Sequence, residues 1–112
     1  MNDLIRPALY DGYHEIIPVE RNVKLDPIVA DVVGPVCESG DFFALDRKIS
    51  GCRSGDLLAV MSAGAYGFTM ASNYNSRPLP AEVLVNGSSF HLVRRRQNYA
   101  DLVELELGVD ED

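Results

Sequence analysis

The chain has 112 residues, of which 46% are hydrophobic and 24% are charged. That length suits a single domain over residues 1–112, and the composition argues against wholesale disorder. The formal net charge is −7, but six of the 17 acids follow Ala100, where there is no Lys or Arg. The net negative charge therefore belongs mainly to the C-terminal end, where residues 104–112 form an acidic tail. The only basic cluster is 94–96, so a basic surface for nucleic acid is not expected.

Nothing in the sequence is typical of a membrane or secreted protein. No apolar run reaches the length of a membrane helix, and the first residues lack the basic-then-apolar order of a signal peptide. Two cysteines, Cys37 and Cys52, then predict free thiols in a reducing cytoplasm, with a disulfide between them as the minor alternative. Because the Cys and His spacings match no zinc motif, no metal site is expected.

Glycine and proline recur at intervals that are too short for most helices but suit strands. Strands are predicted, in chain order, at residues 13–19, 31–33, 56–61, 82–85 and 90–93. The first of these is weak and is ended by Pro18. The glycine-containing loop 86–89 predicts an antiparallel hairpin between the last two strands.

One helix is predicted near the C-terminal end, over residues 99–105, with Asn98 as its N-cap and Asp101 in its first turn. Short strands with almost no helix predict an all-β fold that is mainly antiparallel. The expected architecture is a β-barrel or sandwich with a short C-terminal helix.

Three segments differ from the predicted scaffold. Residues 34–41 place a thiol and a carboxylate in a Pro/Gly turn, residues 63–68 bracket Tyr66 with glycines, and residues 72–78 form a polar loop with Arg77. Composition alone favours ordinary roles for such residues, namely a small buried thiol, a packed aromatic ring and a surface charge.

Five segments in order resemble the C-terminal part of bacterial diaminopimelate decarboxylases, which use pyridoxal phosphate (PLP). The segments are residues 1–14, 32–41, 55–60, 64–68 and 72–78, and the likeness continues through 94–102. The resemblance implies the fold family of alanine racemase and ornithine decarboxylase. In that family a β-domain of this kind follows an N-terminal (β/α)₈ barrel.

The resemblance also implies roles for five side chains. Arg6 would bind the distal carboxylate of the substrate, with Tyr10 beside it, since a helical turn puts both on one face. An arginine can hold a carboxylate through two parallel hydrogen bonds, which lysine cannot reproduce. Cys37 would donate a proton and Glu38 would bind the distal ammonium, both in the active site of the other subunit of a homodimer. Tyr66 would contact the PLP phosphate.

The family's barrel supplies the Schiff-base lysine, a ring-stacking histidine and a glycine-rich phosphate site. No segment of this sequence matches any of these three features. The only lysines are Lys24 and Lys48, and neither lies in a matching motif. His14 and His91 are interpreted as non-catalytic. Residues 1–14 then resemble the connection between barrel and β-domain, and the chain alone is expected to be inactive.

The function implied is conversion of meso-2,6-diaminopimelate to L-lysine and CO₂ in lysine biosynthesis. One alternative is an inert β-domain that acts alone as an interaction module. Another is a fragment of a related ornithine or arginine decarboxylase. Arg6 and the segment 75–78 favour diaminopimelate, because a distal carboxylate calls for an arginine that a simple diamine precursor does not need.

Overall fold

A computed structural model describes residues 1–20 and 25–108 of the chain. The chain divides into two compact units, Met1–Ala71 and a second unit that begins at Ser72. Lys24 and the last four residues of the predicted acidic tail lie outside the described residues. The organisation as a single domain stays a prediction.

Short strands dominate the regular structure. The elements of the described residues are α1 (Arg6–Tyr10), β1 (Ile16–Pro18), β2 (Ile28–Val33), β3 (Phe42–Ile49), β4 (Leu58–Val60), a short 3₁₀ helix (Tyr74–Ser76), β5 (Glu82–Asn86), β6 (Ser89–Arg94) and α2 (Tyr99–Val103). The strands pair as three antiparallel two-stranded sheets, β1 with β4, β2 with β3, and β5 with β6. This confirms a mainly antiparallel β-fold with few short helices, whereas enclosure of the strands in a barrel or sandwich stays a prediction.

The core of the first unit lies between its two sheets. Ile16 from β1 is buried together with Ala44 and Ile49 from β3. Partly buried apolar residues pack around these three: Ala30, Val32, Phe43, Cys52, Leu58 and Val60. Because β1 and β4 pack against β2 and β3, the sheets fix the segments that precede β1 and follow β4.

A β-bulge interrupts the pairing of β2 with β3 between Ala30 and Val32. Asp46 has a left-handed backbone there (φ 46°), and its N–H donates to the Asp31 carboxylate at 2.7 Å. Bulges increase local twist and re-aim the side chains that follow. Next to the bulge, the Arg47 guanidinium donates to the backbone carbonyl of His14 at 3.0 Å.

The helix α1 has Pro7 at its start and ends at Asp11, whose backbone is left-handed (φ 58°, ψ 31°). The Asp11 N–H donates to the Pro7 carbonyl at 3.0 Å, and the Gly12 N–H donates to the Arg6 carbonyl at 3.3 Å. These two bonds satisfy carbonyls that a helix end would otherwise leave free. The single turn places Arg6 and Tyr10 on one face, as the spacing predicts.

The second unit contains the predicted hairpin, in which Gly87 adopts a positive φ of 61° at the turn. Every residue of β5 and β6 is exposed. The exposed apolar residues of the hairpin are Val83, Leu84, Val85, Phe90, Leu92 and Val93. Within the described residues, no helix has the length and apolar character needed to cross a membrane.

The predicted strand boundaries are partly wrong. The strand expected at 31–33 is the end of the longer β2. The strand expected at 56–61 is longer than the observed strand β4. No strand is predicted at β3, although it is the longest strand of the described residues. The bulge and the charged run 46–48 break the alternation of apolar and polar residues that identifies a strand.

The helix α2 has the predicted Asn98 cap. The Asn98 side chain accepts from the Asp101 N–H at 3.1 Å, and the Asp101 carboxylate accepts from the Asn98 N–H at 2.7 Å. Arg95 donates to both oxygens of that carboxylate at 2.6 Å. The hydrogen bonds from Arg95, and then the one from Asn98, lower the pKa of Asp101 to about 2.

We predict that α2 loses stability in acid. Because the pKa of Asp101 in the folded chain lies below its ordinary 3.8, the ionised carboxylate stabilises the helix above that value, and this contribution is lost as the pH falls toward about 2. Amide hydrogen exchange of Tyr99–Val103 measures the effect as a fall in protection factors. Asp101→Asn should lower protection near neutral pH and remove most of the acid response.

Glu106→Gln is the matched control, since it removes one exposed carboxylate after α2 without touching the cap. An acid response that persists unchanged in Asp101→Asn would contradict this account of the cap.

Candidate functional site

The first unit brings together three of the five predicted site residues. The Arg6 Nε donates to the Tyr10 hydroxyl at 2.9 Å. The guanidinium carbon of Arg6 lies 4.4 Å from the centre of the Tyr66 ring and 5.4 Å from that of Tyr10. The two aromatic rings therefore hold the arginine head group through cation–π contacts.

His14 belongs to the same cluster, although the sequence interpretation gives it no role. Its Nε2 lies 3.1 Å from Nη1 of Arg6, and its Nδ1 lies 2.9 Å from the backbone oxygen of Met61. The imidazole also meets the Tyr66 ring edge-on, with 6.3 Å between centroids. No sequence motif signals these contacts, because Met61 is 47 residues away from His14.

Gly12 is a second residue of the cluster that sequence reasoning missed. A Cβ atom at Gly12 would lie 2.7 Å from Cγ of Arg6 and 3.1 Å from its Cζ. A side chain at this position would therefore force Arg6 to shift. A glycine directly after the helix that carries Arg6 and Tyr10 is the signal that could have identified it.

The charge of Arg6 has no acidic partner in the part of the chain that the structure describes, because none of the ion pairs there includes it. Its side chain is half-buried, and its contacts are with neutral groups. A guanidinium has five N–H groups, and two of them are used by Tyr10 and His14. The remaining groups, one on Nη1 and two on Nη2, suit a carboxylate from outside these residues.

Tyr66 lies in a turn in which its own N–H and that of Gly67 donate to the Ala63 carbonyl, at 2.9 and 2.7 Å. Its hydroxyl makes no hydrogen bond to any of the described residues, and a Cβ at Gly64 would have no atom within 4 Å. A free phenol beside an open glycine backbone can approach an anionic group closely.

The loop 34–41 is closed at its base by the buried Asp41. The Gly34 N–H donates to the Asp41 carbonyl at 2.8 Å, and the Val36 N–H donates to its carboxylate at 2.7 Å. A Cβ at Gly34 would collide with that carboxylate. Cys37 and Glu38 lie at the exposed tip, where Glu38 accepts from the Gly40 N–H at 3.1 Å.

The structure does not join Cys37 and Glu38 to the cluster around Arg6. Within residues 1–20 and 25–71, no hydrogen bond, ion pair or ring contact connects the two groups. Both cysteines are free thiols; Cys37 is exposed, whereas Cys52 is partly buried against the core. The exposed side chains of Cys37 and Glu38 are thus available to a second molecule.

The polar loop of the second unit is held by its own side chains. The Asn73 amide donates to the Arg77 carbonyl at 2.9 Å and to the Gln97 side chain at 2.7 Å. The same oxygen of Gln97 accepts from the Leu79 N–H at 2.8 Å. Asn73 therefore fixes the loop.

Among the described residues, no group of three or more His, Cys, Asp or Glu could hold a metal ion.

Comparison with known proteins gives consistent matches. A family model described as the C-terminal sheet domain of pyridoxal-dependent decarboxylases matches residues 1–64. The diaminopimelate decarboxylase of Aquifex aeolicus is 57% identical over 109 residues, and that of Zymomonas mobilis is 56% identical over 110. These matches cover 97% and 98% of this chain but only 26% of each relative, so the chain spans about a quarter of their length.

The solved structures agree with the sequence matches. A diaminopimelate decarboxylase from M. jannaschii, solved in co-complex with L-lysine, is 42% identical with a TM-score of 0.87. The match covers 97% of this chain and 25% of that one. The chain belongs to the family of C-terminal sheet domains of pyridoxal-dependent decarboxylases.

Proposed function

We propose that this chain is the C-terminal part of a diaminopimelate decarboxylase, which converts meso-2,6-diaminopimelate to L-lysine and CO₂. The observation that carries the proposal is the half-buried Arg6, which has no carboxylate partner among the described residues and makes cation–π contacts with two tyrosine rings. The activity belongs to the complete enzyme, since relatives of that name are about four times longer than this chain.

Arg6 binds the carboxylate at the non-reacting end of the substrate. That carboxylate survives the reaction, because decarboxylation at one end of meso-diaminopimelate leaves the other amino-acid end unchanged in L-lysine. The M. jannaschii relative solved with L-lysine supports an enzyme that holds this end of the molecule. Ornithine and arginine carry no carboxylate at the far end, so an unpaired arginine fits diaminopimelate better.

The residues present fit a PLP phosphate. The free hydroxyl of Tyr66 can donate to a phosphate oxygen, and the open backbone at Gly64 leaves room for it. When bound, PLP withdraws the electrons that loss of CO₂ leaves on the substrate carbon. The lysine that bonds to the cofactor and the glycine-rich phosphate site are expected in the N-terminal barrel of the complete enzyme.

Cys37 and Glu38 complete the site of the other subunit in a homodimer. Cys37 donates the proton to the substrate carbon that has lost CO₂, and Glu38 binds the ammonium of the non-reacting end. Their exposure at the tip of a closed loop supports this, since a rigid loop can carry both side chains into a neighbouring molecule. The unpaired thiols are consistent with a cytoplasmic enzyme.

Replacing Arg6 by lysine should raise KM for diaminopimelate in the full-length enzyme. A single point charge replaces a two-pronged contact, which weakens binding by about 1–3 kcal/mol. Steady-state kinetics measure the effect, with Arg53→Lys as the control because Arg53 is exposed and outside the cluster. An unchanged KM would remove Arg6 from the substrate site.

Replacing Gly12 by alanine should have a similar but indirect effect. The added methyl group must displace Arg6, whose Cγ would lie 2.7 Å away, so KM should rise by about tenfold while the cofactor stays bound. Gly108→Ala is the control, because a Cβ there meets no atom within 4 Å. A wild-type KM in Gly12→Ala would show that the position of Arg6 does not matter to the substrate.

Cys37→Ala should lower kcat about a hundredfold or more, which is the usual contribution of a positioned proton donor. Because the thiol does not hold the cofactor, the PLP absorbance of the enzyme should stay unchanged. Cys52→Ala controls for the loss of a thiol and should keep kcat. Near wild-type turnover in Cys37→Ala would exclude the proton-donor role.

The same variant tests whether subunits share their sites. Cys37→Ala subunits are mixed with subunits whose cofactor-bonding lysine has been replaced. If each site takes its cysteine from the partner, every mixed dimer regains one intact site and activity returns. Mixed dimers that stay inactive would refute a site built across the interface.

A further inference from the structure

His14 is the most completely buried large side chain of the described residues, with 1% of its surface exposed. Despite this burial it is polar on both sides of the ring, and both of its nitrogens have partners. Burying a polar ring is costly unless its nitrogens are hydrogen-bonded, and Arg6 and Met61 supply the two partners here.

The partners of His14 determine which nitrogen carries the hydrogen. The Met61 backbone oxygen can only accept, so Nδ1 donates to it. The guanidinium of Arg6 can only donate, so Nε2 accepts from Nη1. His14 is therefore a neutral ring with one direction of hydrogen bonding, from Arg6 through the imidazole to the main chain.

The first unit holds both the Met61 partner of Nδ1 and the backbone of His14 in place. The Met61 N–H donates to the Glu15 carbonyl at 2.7 Å, which continues the pairing of β1 with β4. The His14 carbonyl accepts from Arg47, whose guanidinium lies 4.2 Å from the centre of the Tyr13 ring. Because its backbone and its Nδ1 partner are both held, the imidazole offers Nε2 at a fixed point.

A fixed acceptor matters because an arginine side chain has many rotamers in solution, and ordering it on binding costs affinity. The ring of Tyr66 and the hydroxyl of Tyr10 restrain the plane and the Nε edge of Arg6. Among the described residues, the bond to His14 is the one hydrogen bond that restrains an Nη atom of Arg6, and the Nη atoms are those left to meet a ligand.

We propose that His14 is a positioning residue that orients the guanidinium of Arg6 toward the carboxylate at the non-reacting end of the substrate. This inference rests on the proposed function, since it acts only through Arg6. It predicts that the acceptor at Nε2, and not the volume or the Nδ1 donor of the ring, determines affinity for that carboxylate.

Three substitutions in the full-length enzyme separate these properties. In His14→Gln, the amide lies as far from Cγ as Nε2 does, so an acceptor toward Arg6 is retained. In His14→Asn, the amide lies where Nδ1 does, so only the contact with Met61 is retained. His14→Phe retains only the ring volume. His91→Gln is the matched control on the exposed surface of β6.

The readout is binding, measured by titration calorimetry with two ligands. L-Lysine carries the carboxylate in question, and pentane-1,5-diamine is the same molecule without it. The Asn and Phe variants should weaken L-lysine binding about tenfold, as expected for one hydrogen bond to a charged group. The Gln variant and the His91 control should stay within about threefold of wild type, and binding of the diamine should not change.

The same comparison in an Arg6→Ala background completes the test, because the difference between the Gln and Asn variants should vanish there. Equal affinity for L-lysine in all His14 variants would overturn the proposal. So would equal losses for both ligands, which indicate a purely structural role. If His14→Phe does not fold, the Gln and Asn pair still decides.

The Arg6→Ala variant alone distinguishes a failure of the proposed role of Arg6 from a failure of the proposed role of His14. If that variant binds L-lysine as wild type does, the proposed role of Arg6 is wrong and the role of His14 falls with it. If it loses affinity while the His14 variants do not, only the present inference is overturned.

Discussion

The positive charge of Arg6 is half-buried, and no carboxylate of the described residues neutralises it. Removing a charge from water is costly unless other groups compensate, and here uncharged groups provide that compensation. Two tyrosine rings face the cation, each worth about 0.5–2 kcal/mol, and a hydroxyl and an imidazole accept from it. Because neutral groups leave the net charge intact, the site keeps its attraction for an anion.

Much of the first unit serves this arrangement. The left-handed end of α1 turns the chain so that Gly12 passes beside the arginine, and the pairing of β1 with β4 places Met61 against His14. The bulge in β3 precedes Arg47, which holds the His14 backbone. All of these features act on the position of one guanidinium.

The sequence predicts local features well and long-range contacts poorly. The Asn98 cap and the hairpin turn at Gly87 depend on neighbouring residues, and both are confirmed. The spacing of Arg6 and Tyr10 likewise anticipates their shared face. By contrast, His14 meets a carbonyl 47 residues away, and only the paired strands bring the two together.

The β5–β6 hairpin has a consequence for how the chain behaves outside a larger enzyme. Each strand pairs with one neighbour among the described residues, so each has an open edge beside exposed valine, leucine and phenylalanine side chains. Such edges are templates for cross-β aggregation. A sample of the isolated chain would therefore become turbid with rising concentration and salt, because its net negative charge is concentrated at the C-terminal end and ions screen the repulsion.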